Sequence, residues 1–363
     1  MNRRQFLAAG IAGLSATTIG HWLINQNGTP AATLFSARSN AQGQHFACAW
    51  RLNGEPVFER QITQRCHDIL PLPDGGALFI ARRPGTALYR FSANGHLLHT
   101  QRASADRHYY GHAVLSQDGH WIYASENDTR DPGRGVIGVY RLSDTTLSKE
   151  AELSTHGIGP HQLLWLPTSG LLAIANGGIR TEADSRQAMN LGHMQASLVL
   201  LSADGRLVSQ ETLAEPKNSL RHMAVAADDT LVCGQQYMGP IEDRVDLLAI
   251  KRPNQPLKPF PVLAAQRQGM QQYTASLAIH EQQRVLAVTL PRGNRVQAWQ
   301  LDSGELVLDQ ALPDCAGIAA VEQGFVVSSG QSRCRLIDLQ GATPRISALT
   351  LPAGGWDNHW RLS

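Results

Sequence analysis

Five histidines are the residues of this chain whose type and spacing could do chemistry. Four of them, His67, His112, His161 and His222, each open a short apolar segment that leads through a turn into a second apolar segment ending in polar residues. Segments of the same kind start at Ser276 and Gly317, and the six successive starts lie 45, 49, 61, 54 and 41 residues apart. The fifth histidine stands near the C-terminus in Asn358-His359-Trp360-Arg361-Leu362. Neutral imidazole is the commonest transition-metal ligand, so several rings gathered on one axis would suit iron, copper or zinc. The alternative is that each ring ties strands together inside its own repeat, as the Gly-His of WD repeats does. A single duplicated repeat would produce the same pattern in either case.

The second segments end in another polar set: Arg82-Arg83, Glu126-Asn127-Asp128, Asn176-Gly177-Gly178, Gln235-Gln236, Pro291-Arg292-Gly293 and Ser329-Gly330. Each begins 12 to 15 residues after the start of its repeat, the length in which a two-strand hairpin returns to the same end. Starts and exits therefore share one face. The candidate metal ligands are His67, His112, His161, His222 and His359, and the candidate ligand-binding residues are Glu126, Asn127, Asn176, Gln235 and Arg292. No G-x-S-x-G, HExxH or P-loop occurs, so no catalytic residue is assigned. A hydrolase would need a metal-activated water, with Glu126 as the candidate base.

The elements that must position these residues follow from the repeat. Turn signals such as Pro73-Asp74-Gly75, Asn94-Gly95, Gln117-Asp118-Gly119 and Asp204-Gly205 separate short apolar strands, four to a unit. A strand-only repeat of this length is the signature of a β-propeller, whose blades pack only on their neighbours. That resolves how 363 residues, 42% hydrophobic, avoid needing one oversized core. Six units start between residues 67 and 317. Phe46 to Leu52 and Pro56 to Ile62 read as outer strands of a seventh, and the segment around His359 as its inner strand. The expectation is an all-β, seven-bladed propeller over residues 43–363, closed by N- and C-terminal strands, with the C-terminal strand beside Phe46 to Leu52. Closure removes both free sheet edges. The loop from Gly177 to Gln195 exceeds its equivalents and could act as a lid or docking arm.

Net charge is +2 with no concentrated basic stretch, which argues against a nucleic-acid partner. Five cysteines without a CxxC pair read as core residues, with one bridge left open. At the N-terminus, Arg3-Arg4-Gln5-Phe6-Leu7 precedes a weakly apolar run to Ile24, as in a twin-arginine export signal. Residues 1–42 are assigned to that signal and a linker, Ser39-Asn40-Ala41 is a candidate cleavage site, and the periplasm is the expected location. No stable membrane span is expected beyond the signal.

The set His156-Gly157-Ile158-Gly159-Pro160-His161, Asn176-Gly177-Gly178-Ile179, Arg221-His222-Met223-Ala224-Val225, Gln235-Gln236-Tyr237, Pro291-Arg292-Gly293 and Trp356-Asp357-Asn358-His359 resembles the bacterial family called Domain of Unknown Function 1513. The resemblance implies an exported seven-bladed propeller of the quinoprotein amine dehydrogenase β-chain-like type, related in build to WD40 and YVTN repeats. It also implies periplasmic iron-uptake proteins, of the imelysin type, as neighbours and partners. It brings no established reaction. The expected function is a non-enzymatic module that binds a metal such as Fe or Cu, a ligand or a partner in iron acquisition. A lactonase-like or metal-dependent hydrolase with its site at the mouth is the alternative.

Overall fold

A computed structural model describes residues 32–363 apart from 184, 186 and 353. The expected export signal therefore lies outside the described residues. Seven antiparallel sheets form a closed ring, six of them four-stranded and the closing one four deep with two short C-terminal strands sharing its innermost place. The first blade is typical: Cys66–Pro71, Ala77–Ala81, Ala87–Phe91 and Leu97–Arg102, from the axis outward. Its middle strands are buried along their whole length while the outermost is half-exposed, because they are covered by neighbouring blades on both faces.

The core is correspondingly divided. Seven separate apolar clusters fill the seven gaps between adjacent blades. Between the closing blade and the first, Phe35, Phe58, Phe79 and Phe91 interlock with ring centroids 5.6–6.4 Å apart. All five cysteines are free and buried in these layers.

The closing blade differs from expectation in one respect. Thr33–Ser39, assigned to the linker, is a strand of this blade and pairs in register with His45–Arg51, Thr33 opposite Arg51 and Ser39 opposite His45. The C-terminal segments Gly355–Trp356 and Arg361–Leu362 pair with Thr33–Ser39, not with Phe46 to Leu52. The propeller thus begins at about residue 33, before the boundary of 43, and cleavage at Ala41 would remove a strand. Its first five residues are all buried, so the polar alternation that marks a half-buried strand is absent.

The innermost strands carry the feature that makes a site. In four blades the register between the first and second strand slips close to the histidine: between Cys66 and Asp68, Tyr109 and Ala113, Pro160 and Leu163, and Leu220 and His222. A bulge inserts an unpaired residue and turns a side chain away from the sheet face, here toward the axis. Gly111 sits in one such irregularity at φ +103°, and a Cβ there would lie 2.9 Å from the His67 side chain. Gly111→Ala is therefore expected to lower stability by about 2 kcal/mol, from backbone strain and displacement of the His67 ring. Urea unfolding of the variant measures this, and an unchanged midpoint would mean that the bulge has slack.

Candidate functional site: a histidine cluster on the axis

The five histidines meet. Ring centroids are 4.9 Å apart for His67 and His112, 4.8 Å for His112 and His161, 4.6 Å for His161 and His222, and 4.6 Å for His222 and His359. Ring closure adds 4.8 Å between His359 and His67. One ligating atom from each of His67, His112, His222 and His359 lies within 4.8 Å of the other three. Four nitrogens about 2.1 Å from one ion stand about 3.4 Å apart in a tetrahedron and at most about 4.2 Å apart across a square. A small inward movement of side chains would close the set. His161 is outside this four but in ring contact with three of them, His67, His112 and His222, and it keeps some exposure.

Two carboxylates fix the tautomers. His67 Nδ1 lies 3.0 Å from Asp357 Oδ1, and His112 Nδ1 lies 2.8 Å from Asp68 Oδ2. An ionised carboxylate only accepts, so each ring donates its Nδ1–H and turns the Nε2 lone pair inward. Both carboxylates belong to the preceding blade in the ring, the closing blade for Asp357 and the first for Asp68. Asp68 also accepts from Arg361 at 2.8 and 2.7 Å, and Asp357 accepts from Arg65 at 2.6 Å. Burial alone would raise Asp68, but Arg361, the neighbouring His359 ring and these hydrogen bonds outweigh it and hold its pKa well below the usual range. Asp357 is held low in the same way, chiefly by His67.

Five nitrogens of the cluster are buried with no hydrogen-bond partner among the described residues. These are His112 Nε2, His359 Nε2, His161 Nδ1 and both nitrogens of His222. Buried polar atoms in native folds are nearly always satisfied, so such a concentration at one point suits an external partner such as water or an ion. Burial pushes the His67 pKa down to about 4 against the opposing pull of Asp357. It also lowers His112, and carries His161, His222 and His359 well below the ordinary range, with mutual repulsion between rings adding to it. The rings are thus neutral at pH 7, the protonation state a metal ligand needs.

Above the cluster opens a funnel of about 310 Å³. His67, His161 and His222 form its floor, and Arg82, Arg83, Arg221, Tyr110 and Tyr273 its walls, with Gln236, Met238 and Asn358 between. His112 and His359 lie beneath and do not reach it.

The predicted ligand-binding residues fare differently. Glu126 is fully buried against its own sheet, bonded to Tyr140 and, at 2.6 Å, to Lys149. It is neither at the mouth nor placed to act as a base there. Asn127 accepts from Tyr110 Oη at 3.0 Å and so braces a wall of the funnel from behind. Asn176 donates to the Thr155 carbonyl, and Gln235 accepts from Asn218, both buried between strands. Arg292 is exposed at the rim, with its guanidinium 5.2 Å from the Tyr273 ring. In the long loop, Thr181 is buried and its Oγ1 lies 3.5 Å from Arg83, so the loop packs on the funnel wall at that point.

The reading by strand exits missed Asp68, Asp357, Arg361 and Arg221. The first two sit one and two residues from His67 and His359, and a search for carboxylates adjoining each histidine would have found them.

The model of a family described as "Protein of unknown function (DUF1513)" matches residues 60–363. No curated protein matches the chain in sequence. Among solved structures, a periplasmic gluconolactonase of Pseudomonas aeruginosa is similar at TM-score 0.63 and 14% identity, covering 91% of this chain and 98% of the other. A putative 6-phosphogluconolactonase of Bacteroides fragilis gives 0.63 and 12%, covering 92% and 98%. Apo AztD of Citrobacter koseri gives 0.57 and 10%, again covering 92% and 98%. Likeness at these identities shows the propeller fold and nothing finer.

The histidines make stability depend on pH in a defined window. Their folded pKa values lie below the unfolded value of about 6.5, so the unfolded chain binds more protons between the two. Their contribution is complete above about 6.5 and is lost as pH falls toward about 4, on the order of 3 kcal/mol for His67 alone. Unfolding midpoints of metal-free protein should decline steadily from pH 7 to 4.5, before the buried aspartates titrate. A flat profile across that window would mean that the rings are not desolvated together.

Proposed function

We propose that this chain, which belongs to the DUF1513 family, is a metal-binding propeller that holds one transition-metal ion on its axis through its clustered histidines. The observation that carries this is the set of buried imidazoles with a nitrogen from each of four within 4.8 Å of the others, several of their nitrogens without protein partners. The carboxylate-to-Nδ1 contacts behind two of them are what metal-ligating histidines use to fix ring orientation. An all-imidazole set suits copper, iron or zinc rather than calcium or magnesium.

Export by the twin-arginine route to the periplasm, alongside iron-uptake proteins, belongs to the same proposal. No helix among the described residues is long and apolar enough to cross a membrane. A hydrolase is the second reading. Its support is the funnel open above the proposed ion, with His161, outside the set of four, among its lining residues.

Metal analysis of protein purified from the periplasm should give about one equivalent. Chelator-stripped protein titrated with Co²⁺, Cu²⁺ and Zn²⁺ should regain it. His222→Ala is the cleanest ligand deletion, because neither ring nitrogen has a protein bond to lose. It is expected to weaken binding at least tenfold, and Asp68→Asn should do so by 10- to 100-fold through the His112 ring. Wild-type affinity in both variants would overturn the metal site. Turnover of gluconolactone by loaded protein, abolished in His161→Ala, would select the hydrolase. For export, Arg3→Lys combined with Arg4→Lys should leave folded protein in the cytoplasm on fractionation, and periplasmic accumulation of the double variant would exclude the twin-arginine route.

A further inference from the structure

We infer that a second cavity at the mouth binds a short peptide by its free ends, the ammonium at one side and the carboxylate at the other. The inference goes beyond the metal reading and does not depend on it. This cavity, of about 780 Å³, lies over the closing and sixth blades and reaches from Pro291 of the fifth to Arg65 and Arg82 of the first. It occupies the side of the ring where the fifth and sixth blades start with Ser276 and Gly317 in place of histidine. Ala41, Ala316, Gly330, Gly354 and Gly355 are among its lining residues, so backbone forms much of its surface. Trp356 and Tyr273 add apolar area. Pockets of this size with a few convergent polar groups suit small ligands.

The two sides of the cavity carry opposite charge. Asp314 stands at φ +52°, fixed there by its N–H to Asn294 Oδ1 at 3.0 Å and by its carbonyl, which accepts from Gly330 N–H at 2.8 Å. Its carboxylate has no partner among the described residues, and partial desolvation raises its pKa with no cation to oppose it. A Cβ on Gly330 would lie 2.0 Å from Asp314 Oδ2, so the glycine makes the room that this carboxylate occupies. On the far side Arg65 and Arg82 share one carboxylate, Asp357, at 2.6 and 3.8 Å. Two guanidinium groups against one carboxylate leave a surplus positive charge, and guanidinium matches a carboxylate through paired N–H donors. The separation of these ends selects the ligand. The closing blade stands between the sixth and the first, and facing sheets lie about 10 Å apart, less toward the axis, so the charged ends are on the order of 10 Å apart. A free α-amino acid carries both charges on neighbouring carbons and cannot reach both. An extended chain of three or four residues spans about 10–13 Å. Between the ends, Asn358 donates to Tyr273 Oη at 3.2 Å and holds its amide where a peptide group would pass.

Calorimetry on chelator-stripped protein at neutral pH tests this with trialanine, its N-acetyl and C-amide forms, and free alanine as probes. Trialanine should bind one to one and at least tenfold more tightly than alanine or either blocked form. Asp314→Asn, which suits the same left-handed backbone, should bring free and acetylated trialanine to equal affinity with an unchanged melting temperature. Gly330→Ala, whose methyl would displace the Asp314 carboxylate, should act alike. Asp144→Asn, in an exposed turn at the opposite end of the second blade, should leave the preference intact. Equal affinity of trialanine and either blocked form in the unaltered protein would overturn the inference. So would alanine binding as tightly as trialanine, the absence of binding by every probe, or an undiminished preference for the free amine in both variants. Trialanine binding with these preferences to protein that takes up no metal would retain this inference and discard the metal site.

Discussion

Asp68 is the residue on which both the ring and its site depend. It lies on the innermost strand of the first blade, takes a two-pronged hydrogen bond from Arg361 at the C-terminus, and receives Nδ1–H of His112 from the second blade. One buried carboxylate therefore joins three blades. Asp357 repeats the arrangement one step back, joining the closing blade to His67 of the first. Breaking a buried ion pair by removing one partner costs about 3–5 kcal/mol, because the other charge stays behind without compensation. The closure of the propeller and the orientation of the imidazoles are consequently a single constraint. The chain cannot fasten its ends without also aiming two histidine lone pairs at the axis.

That constraint accounts for the electrostatic layering of the mouth. The carboxylates are spent on the arginines and on Nδ1 protons, so they hold rings in place without standing in the cavity. The five rings above them are desolvated and mutually repulsive when protonated, which keeps them neutral. Arginines form the next layer outward, with Arg82, Arg83 and Arg221 along the funnel. Free carboxylates at the mouth would instead have raised the imidazole pKa values and favoured protonated rings.

Much of this was legible in the sequence, and the losses have physical causes. The spacing of His67, His112, His161 and His222 marked both the blades and the axis, because a radial repeat carries equivalent positions to equivalent places. Thr33–Ser39 was missed because a strand buried on both faces shows no alternation of polar and apolar residues. Glu126 was misplaced for a related reason. Lying near a strand exit locates a residue along the propeller but not on which face of its sheet the side chain falls, and Glu126 turns toward Tyr140 and Lys149. The bulges at the histidines reverse that parity locally, and no turn residue in the sequence announces them. Asp68 and Asp357 act across a blade boundary, a contact that spacing within one repeat does not reveal.

The two blades that lack a histidine argue against a purely structural role for the other five. Had each imidazole served to tie strands within its own blade, its partners would lie in that blade, and Ser276 and Gly317 would be simple gaps in the pattern. Instead the partners of His67 and His112 come from the preceding blade, and one nitrogen each of His67, His112, His222 and His359 lies within 4.8 Å of the other three. The exceptions are used by neighbours as well. Ser276 Oγ lies 3.4 Å from His359 Nδ1. At Gly317 a Cβ would stand 2.9 Å from the Trp360 ring, which packs into the room the glycine leaves. Trp360 is itself 1% exposed and follows His359 directly, so the glycine of the sixth blade seats the residue that positions the fifth histidine. The ring is asymmetric by construction, with five blades presenting imidazoles and two holding the last of them in place.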